Sequence, residues 1–311
     1  MIGSVKTLAG RDFLDIADLT AQELRRVLDL AHSIKAGRWA QRPLQGRHVA
    51  MLFQKPSHRT RVSFEVGIAR LGGTATTLSE QDVQLGVRET VGDAARVLDR
   101  YVDGVVARLR THADLLELAS ASARPVINGL TDRSHPCQVL ADLLTLEEVR
   151  GGLAGQHVVY VGDGNNVATS LIEASALAGF RLTVVSPDGY QPKTGVLERA
   201  RSISAGPLQV DLTSNLADLG TATAIYTDVW ASMGQESERD ERRRVFAPYQ
   251  VNQSVMDAAP DAVFLHCLPA HRGEEVTDEV IDGPRSVVFD QAENRLYAQM
   301  AIMAELFGAE R

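Results

Sequence analysis

The sequence predicts an α/β chain of two domains, each a largely parallel sheet flanked by helices, joined by interdomain helices. Strand-like runs alternate with helical spacing along the whole chain, the pattern of parallel sheets with helical crossovers. A length of 311 residues is twice that of an ordinary domain. Hydrophobic residues at 44% and charged residues at 23% allow two packed cores and exclude disordered or fibrous classes.

Each element has its own signal. Thr20-Ala-Gln-Glu23 is a capping box that opens an amphipathic helix running to Lys35. Strands are expected at His48 to Phe53, Thr74 to Leu78, Gly104 to Arg108 and Pro125 to Asn128, with helical spacing between them. From Ser134 to Arg150, Val139, Leu140, Leu143, Leu144 and Leu146 recur with helical period, and Gly151-Gly152 ends the run. A second series of strands follows at His157 to Val161, Arg181 to Ser186, Ala222 to Asp228, Ala262 to His266 and Ser286 to Phe289. A closing helix is expected from Glu293 to Leu306. The expected division is residues 1–134, a connecting helix at 135–150, and residues 151–292, with 293–311 packing back onto the first domain.

Composition removes several function classes. The net charge of -8 and a pI near 5.5 oppose a nucleic-acid surface, which needs concentrated positive charge. No apolar run approaches the ~18 residues of a membrane span, and the N-terminus lacks the apolar core of a signal peptide, so a cytoplasmic location without membrane partners is expected. Cys137 and Cys267 allow one disulfide at most, and each sits in a polar motif, so neither reads as a staple.

The strand ending at Phe53 leads into Gln54-Lys-Pro-Ser57-His58-Arg59-Thr60-Arg61 and then directly into helical spacing. Ser57 is placed as the N-cap. The free N–H groups of the first turn, the helix dipole, two hydroxyls and two arginines would meet an anion there, which is the composition of a phosphate site. The bland alternative is an ordinary cap with arginines paired to Glu65 or solvent. His135-Pro-Cys-Gln138 opens the connecting helix, where an imidazole and an amide can hydrogen-bond a carbonyl or an amide. His135 with Cys137, and His266 with Cys267, offer N and S ligands, but neither spacing is a zinc pattern, and no metal is expected.

Gly162-Asp-Gly164-Asn165-Asn166-Val167 follows a strand and opens a helix, the place of a dinucleotide fingerprint. Val167 stands where the third glycine belongs, which weakens a nicotinamide-dehydrogenase reading that Asp188 otherwise keeps open. The Asn side chains suit a polar small molecule at the sheet's carboxyl edge. Asp228-Val-Trp-Ala-Ser232-Met233-Gly and His266-Cys267-Leu268-Pro end two more strands, so an acid, a hydroxyl and a thiol are expected near Asn166. Buried-hydrophobe and helix-cap roles are the alternatives for Cys267 and Asp228. The run Gln235 to Arg244 reads as a solvated, mixed-charge loop.

In this order, with Gln84-Leu-Gly86, Arg108 and Glu293-Asn-Arg295 added, the motifs resemble the aspartate/ornithine carbamoyltransferase family over nearly the whole chain, Phe13 to Leu306. The Asp-Val-Trp…Ser-Met-Gly and His-Cys-Leu-Pro elements place the resemblance on its ornithine side. The resemblance implies transfer of the carbamoyl group of carbamoyl phosphate to the side-chain amine of L-ornithine, giving L-citrulline and phosphate in arginine metabolism, without cofactor. It implies that Ser57, Arg59, Thr60 and the backbone of His58 hold the phosphate, and that Arg108, His135 and Gln138 grip the carbamoyl group. Cys267, Leu268 and Arg295 complete that site. Asn166, Asp228, Ser232 and Met233 would bind ornithine, with Arg108, His135, Asp228 and Cys267 nearest the chemistry. Gln84 would reach the site of a neighbouring subunit in a homotrimer or a multiple of it. The family usually carries Thr where this chain has His58. Putrescine and acetylornithine are the nearest alternative amines.

Overall fold

The computed structural model describes residues 7–217, 219–231 and 236–308. The chain divides into two compact units, Met1–Leu140 with Arg295–Arg311, and Ala141–Asn294. Both divisions fall inside helices, one within Pro136–Arg150 and the other within Val288–Phe307.

The first unit contains α1 (Ala21–Lys35), β1 (His48–Phe53), α2 (His58–Arg70), β2 (Thr74–Ser79), α3 (Glu80–Val83), α4 (Val91–Leu98), β3 (Gly104–Arg108), α5 (His112–Ala121), β4 (Val126–Leu130) and the start of α6 (Pro136–Arg150). Thr20 caps α1 by accepting from the Glu23 N–H, and Glu23 returns the bond to the Thr20 N–H, so the capping box forms as expected. The four strands are parallel in the order β2-β1-β3-β4. β1 after His48 and β3 before Arg108 are buried apolar runs, as strands covered on both faces are, whereas β2, Thr-Ala-Thr-Thr-Leu-Ser, lies at the edge and is half exposed. The end of the last helix completes this unit. A Cβ at Gly104 would fall 2.3 Å from the Phe307 ring, so the first residue of β3 has to be glycine.

The second unit continues with β5 (His157–Val161), α7 (Asn166–Ala178), β6 (Arg181–Val185), α8 (Thr194–Ile203), β7 (Val210–Thr213), β8 (Ala224–Thr227), α9 (Arg239–Phe246), α10 (Gln253–Asp257), β9 (Val263–His266), α11 (Asp278–Ile281) and α12 (Val288–Phe307). Its five parallel strands run β7-β6-β5-β8-β9. The fifth strand is therefore Val210–Thr213, not the expected Ser286 to Phe289. Ser286 makes a single bridge to Phe264, and the Val287 N–H bonds the Phe264 carbonyl once before α12 begins. Three apolar residues set no period of their own, and the long helical pattern after them draws them in. Val-Asp-Leu-Thr is a four-residue edge strand and carries little apolar signal in the sequence.

In each sheet the chain leaves the first strand toward one side and later returns on the other, which creates a switch point at the carboxyl ends of β1 and β3 and of β5 and β8. Ligands of open α/β sheets bind there. No helix among the described residues is long and apolar enough to cross a membrane.

Candidate active site

At the switch point of the first unit, Ser57 has extended backbone and caps α2, its Oγ accepting from the Thr60 N–H at 3.3 Å and donating to Thr60 Oγ1 at 3.1 Å. His58 is the first helical residue and is exposed, Arg59 is half-buried, and Thr60 is buried. Arg61, the other arginine of the motif, makes an exposed ion pair with Glu65 at 2.9 Å, so the bland reading holds for that one residue. Arg108 ends β3 and is buried. The register of β3 against β4 shifts there, pairing Arg108 with Leu130, and such an irregularity re-aims a side chain at a sheet edge.

His135, directly before α6, is 5% exposed. Burial first, then the guanidinium groups of Arg295, Arg108 and Arg59, hold its imidazole well below the usual range, so it is neutral at pH 7. Arg295 donates to Gln138 Oε1 at 2.7 Å and to Thr60 Oγ1 at 3.4 Å. The Gln299 amide oxygen accepts from Arg295 Nη2 at 2.8 Å, and its NH2 donates to Ser63. The cap of α2, the start of α6 and α12 thus share one polar network. Burial raises the neighbouring Cys137 thiol to about 12, and its S–H donates to the Asn128 carbonyl. It is packing rather than chemistry. Gln84 caps α3 with left-handed backbone, φ 47°, and is exposed.

The second switch point is built around Asn165. As N-cap of α7 its Oδ1 accepts from the N–H groups of Val167 and Ala168 and from the Tyr160 hydroxyl. Its NH2 donates to Asp228 Oδ2 at 2.7 Å. Asp228 Oδ1 accepts from the Val229 N–H at 2.8 Å and from the Cys267 thiol at 3.0 Å. Asn166 and Asp228 are buried, and Cys267 is half-buried. Leu268 follows with φ 55° and a cis bond to Pro269. Gln84 and Leu268 are the two non-glycine residues with left-handed backbone among those described, and such residues gather at functional sites. Ser232 and Met233 lie outside the described residues.

Two features of the turn weigh against the dehydrogenase alternative. A Cβ at Gly164 would meet the Pro192 nitrogen at 2.2 Å, so this glycine serves the turn's own packing, and Val167 fills the third-glycine position with a buried side chain. Asp228, His266 and Cys267 group closely enough to suggest a metal site. However, His266 Nδ1 accepts from the Leu268 N–H at 2.8 Å and Nε2 bonds Glu275 at 3.2 Å, which occupies both ring nitrogens.

The residues 154–306 match the family model described as aspartate/ornithine carbamoyltransferase, Asp/Orn binding domain, and residues 11–148 match its carbamoyl-P binding domain. The chain belongs to the aspartate/ornithine carbamoyltransferase family. An ornithine carbamoyltransferase of Thermococcus kodakarensis is 52% identical over 98% of both chains, and the one from Pyrococcus furiosus named anabolic is also 52% identical over 98% of both. The solved P. furiosus structure superposes with a TM-score of 0.93 at 51% identity, covering 99% of this chain and 100% of that one. The anabolic Campylobacter jejuni enzyme gives 0.89 at 35% identity over 94% and 98%.

Three residues of this carbamoyltransferase fold escape the sequence reading. Asn165 is visible as an amide but not as the group that orients Asp228. Gln299 stands one turn after Arg295, a spacing that brings helical side chains together. Arg242 is hidden in a charge run. That run is not simply a solvated loop, because its second half forms α9 and buries Arg242. The Val245-Phe246 pair at the end of the run was the available signal.

Proposed function

We propose that the chain transfers the carbamoyl group of carbamoyl phosphate to the side-chain amine of L-ornithine, giving L-citrulline and phosphate. One observation carries the reading: the first unit gathers Arg59, Arg108 and Arg295 around a neutral His135 beside the start of α2, and the second pairs a buried carboxylate with a thiol. The first arrangement suits a phosphate and a developing oxyanion, and the second suits an amine. Ser57, Arg59, Thr60 and the His58 N–H hold the phosphate. Arg108 and His135 donate to the carbamoyl oxygen, and Gln138, fixed by Arg295, orients the carbamoyl group. Cys267, Leu268 and Arg295 complete that site.

Asn166, Asp228, Ser232 and Met233 bind ornithine. The neutral amine attacks the carbamoyl carbon, a C–N bond forms, charge moves onto the carbonyl oxygen, and the C–O bond to phosphate breaks. The amine proton passes to Asp228 or to a phosphate oxygen. The backbone N–H supplied by His58 does not depend on its side chain, which is why the usual Thr can be replaced there. Two relatives named anabolic support the biosynthetic direction.

The exposed Gln84 and, three residues on, Val87 at 85% exposure support a loop covered by a second copy, and hence a homotrimer or a multiple of it. Two domains, 1–134 and 151–292, belong to the same reading, as does the cytoplasmic location. Citrulline and phosphate release with ornithine, putrescine, acetylornithine and aspartate offered in parallel tests the function. Ornithine should give by far the highest kcat/KM, and preference for another amine would overturn the assignment.

A further inference from the structure

We propose that Arg242 is a positioning residue for the amine site; the proposal rests on ornithine being the amine. Arg242 is 6% exposed although it stands in the most charged stretch of the chain. Its Nη1 donates to Asp163 Oδ2 and to the Trp230 carbonyl, both at 2.9 Å, and its Nε donates to Glu238 at 2.9 Å. Its guanidinium lies over the Tyr190 ring at 5.0 Å. These contacts are at the carboxyl ends of three adjacent strands: Asp163 follows β5, Tyr190 follows β6 and Trp230 follows β8.

Asp163 stands two residues before Asn165, and Trp230 two residues after Asp228. The Asn165 to Asp228 bond joins the two turns at the site itself, and Arg242 joins them again behind it. The aromatic pairs of Phe246 with Tyr190 and with Trp230 press α9 onto the same strand ends. A guanidinium can make all of these contacts at once because its donors form a rigid planar fork; an ammonium cannot. With the fork removed, the two turns lose this second tie, and the spacing of Asp228 and Asn166 loosens. The contacts of this network belong to the second unit and the Arg59, Arg108, Arg295 cluster to the first, so the effect should fall on one substrate.

Steady-state kinetics with both substrates varied, on the full-length chain, test this with Arg242→Gln, Arg242→Lys and Asp163→Asn. Arg242→Gln should raise the ornithine KM on the order of tenfold, the scale of one charge-assisted hydrogen bond. Carbamoyl phosphate affinity by calorimetry should stay within about twofold on the same scale. Arg242→Lys should fall between Gln and the native residue, and it carries the test where Arg242→Gln does not fold. Asp163→Asn keeps an acceptor and should have the smallest effect. A lowered melting temperature with unchanged ornithine KM, or equal losses for both substrates, overturns the proposal while the function stands. A native chain that does not use ornithine overturns both.

Discussion

Asn165 and Asp228, 63 residues apart in sequence, are joined by a 2.7 Å hydrogen bond in which the same amide that caps α7 also holds a carboxylate. One side chain therefore sets both the start of a helix and the orientation of the acid. Asn165→Asp separates these duties. It keeps the capping oxygen but turns the donor into a carboxylate facing Asp228. Melting should move little, since Asp caps as well as Asn, while ornithine KM should rise by about an order of magnitude or more. Unchanged kinetics would remove Asn165 from the site.

Arg59→Ala should leave the fold intact, because Arg59 is only half-buried at a helix start. It should weaken carbamoyl phosphate binding roughly 10- to 100-fold, the value of a lost charge-assisted contact. Calorimetric titration of a folded variant with native affinity would exclude Arg59 from the site.

Cys267→Ala removes the thiol donor to Asp228. Ornithine KM should rise about fivefold, equivalent to ~1 kcal/mol, with carbamoyl phosphate affinity unchanged, and Cys267→Ser should recover part of the loss. If Cys267 were only a small buried hydrophobe, the alanine variant would lose stability and keep its ornithine KM.

His135 links stability to pH. Its folded pKa is depressed, whereas in the unfolded chain it titrates near ~6.5. Below that value the unfolded chain takes up a proton that the folded one refuses, so the stabilisation is full above about pH 6.5 and is lost as pH falls toward the folded pKa. His112, also depressed mainly by burial, acts in the same direction. His135→Gln should therefore reduce, without abolishing, the fall in melting temperature between about pH 7.5 and about pH 5.5. An identical fall in both proteins contradicts the neutral imidazole.

Subunit sharing is tested by mixing two impaired chains at low carbamoyl phosphate, one with Arg59→Ala and one with Gln84→Ala. Reassembly should restore activity, because some sites then draw an intact Gln84 from one chain and an intact Arg59 from the other. Activity that stays at the level of the parents, with mixed oligomers shown by mass, rules the sharing out.

The strands of both sheets were legible because β1, β3 and β5 are buried on both faces and read as unbroken apolar runs. The edge strand β7 was not, since Asp211 and Thr213 give it a loop's composition. The candidate site was legible wherever function demands unusual residue types in one short segment, as in Ser57 to Thr60 and His135 to Gln138. It was illegible where a residue acts through another. Beyond its spacing of one turn from Phe246, little in the run distinguishes Arg242 from Arg243 or Arg244, and burial against Asp163 and Trp230 sets it apart. Ser286 to Phe289 shows the converse, a short apolar run absorbed by the helix that follows.

Three guanidinium groups held around one imidazole repel each other, and folding is what brings them together. Any anion that binds the cluster relieves that repulsion in the folded chain and has no equivalent partner in the unfolded one. By mass action, an anion at a hundred times its dissociation constant adds about 2.7 kcal/mol to the free energy of unfolding. The durability of this protein should then depend on the phosphate content of its surroundings. Its lifetime against heat and proteolysis should lengthen when carbamoyl phosphate is plentiful and shorten when it is scarce.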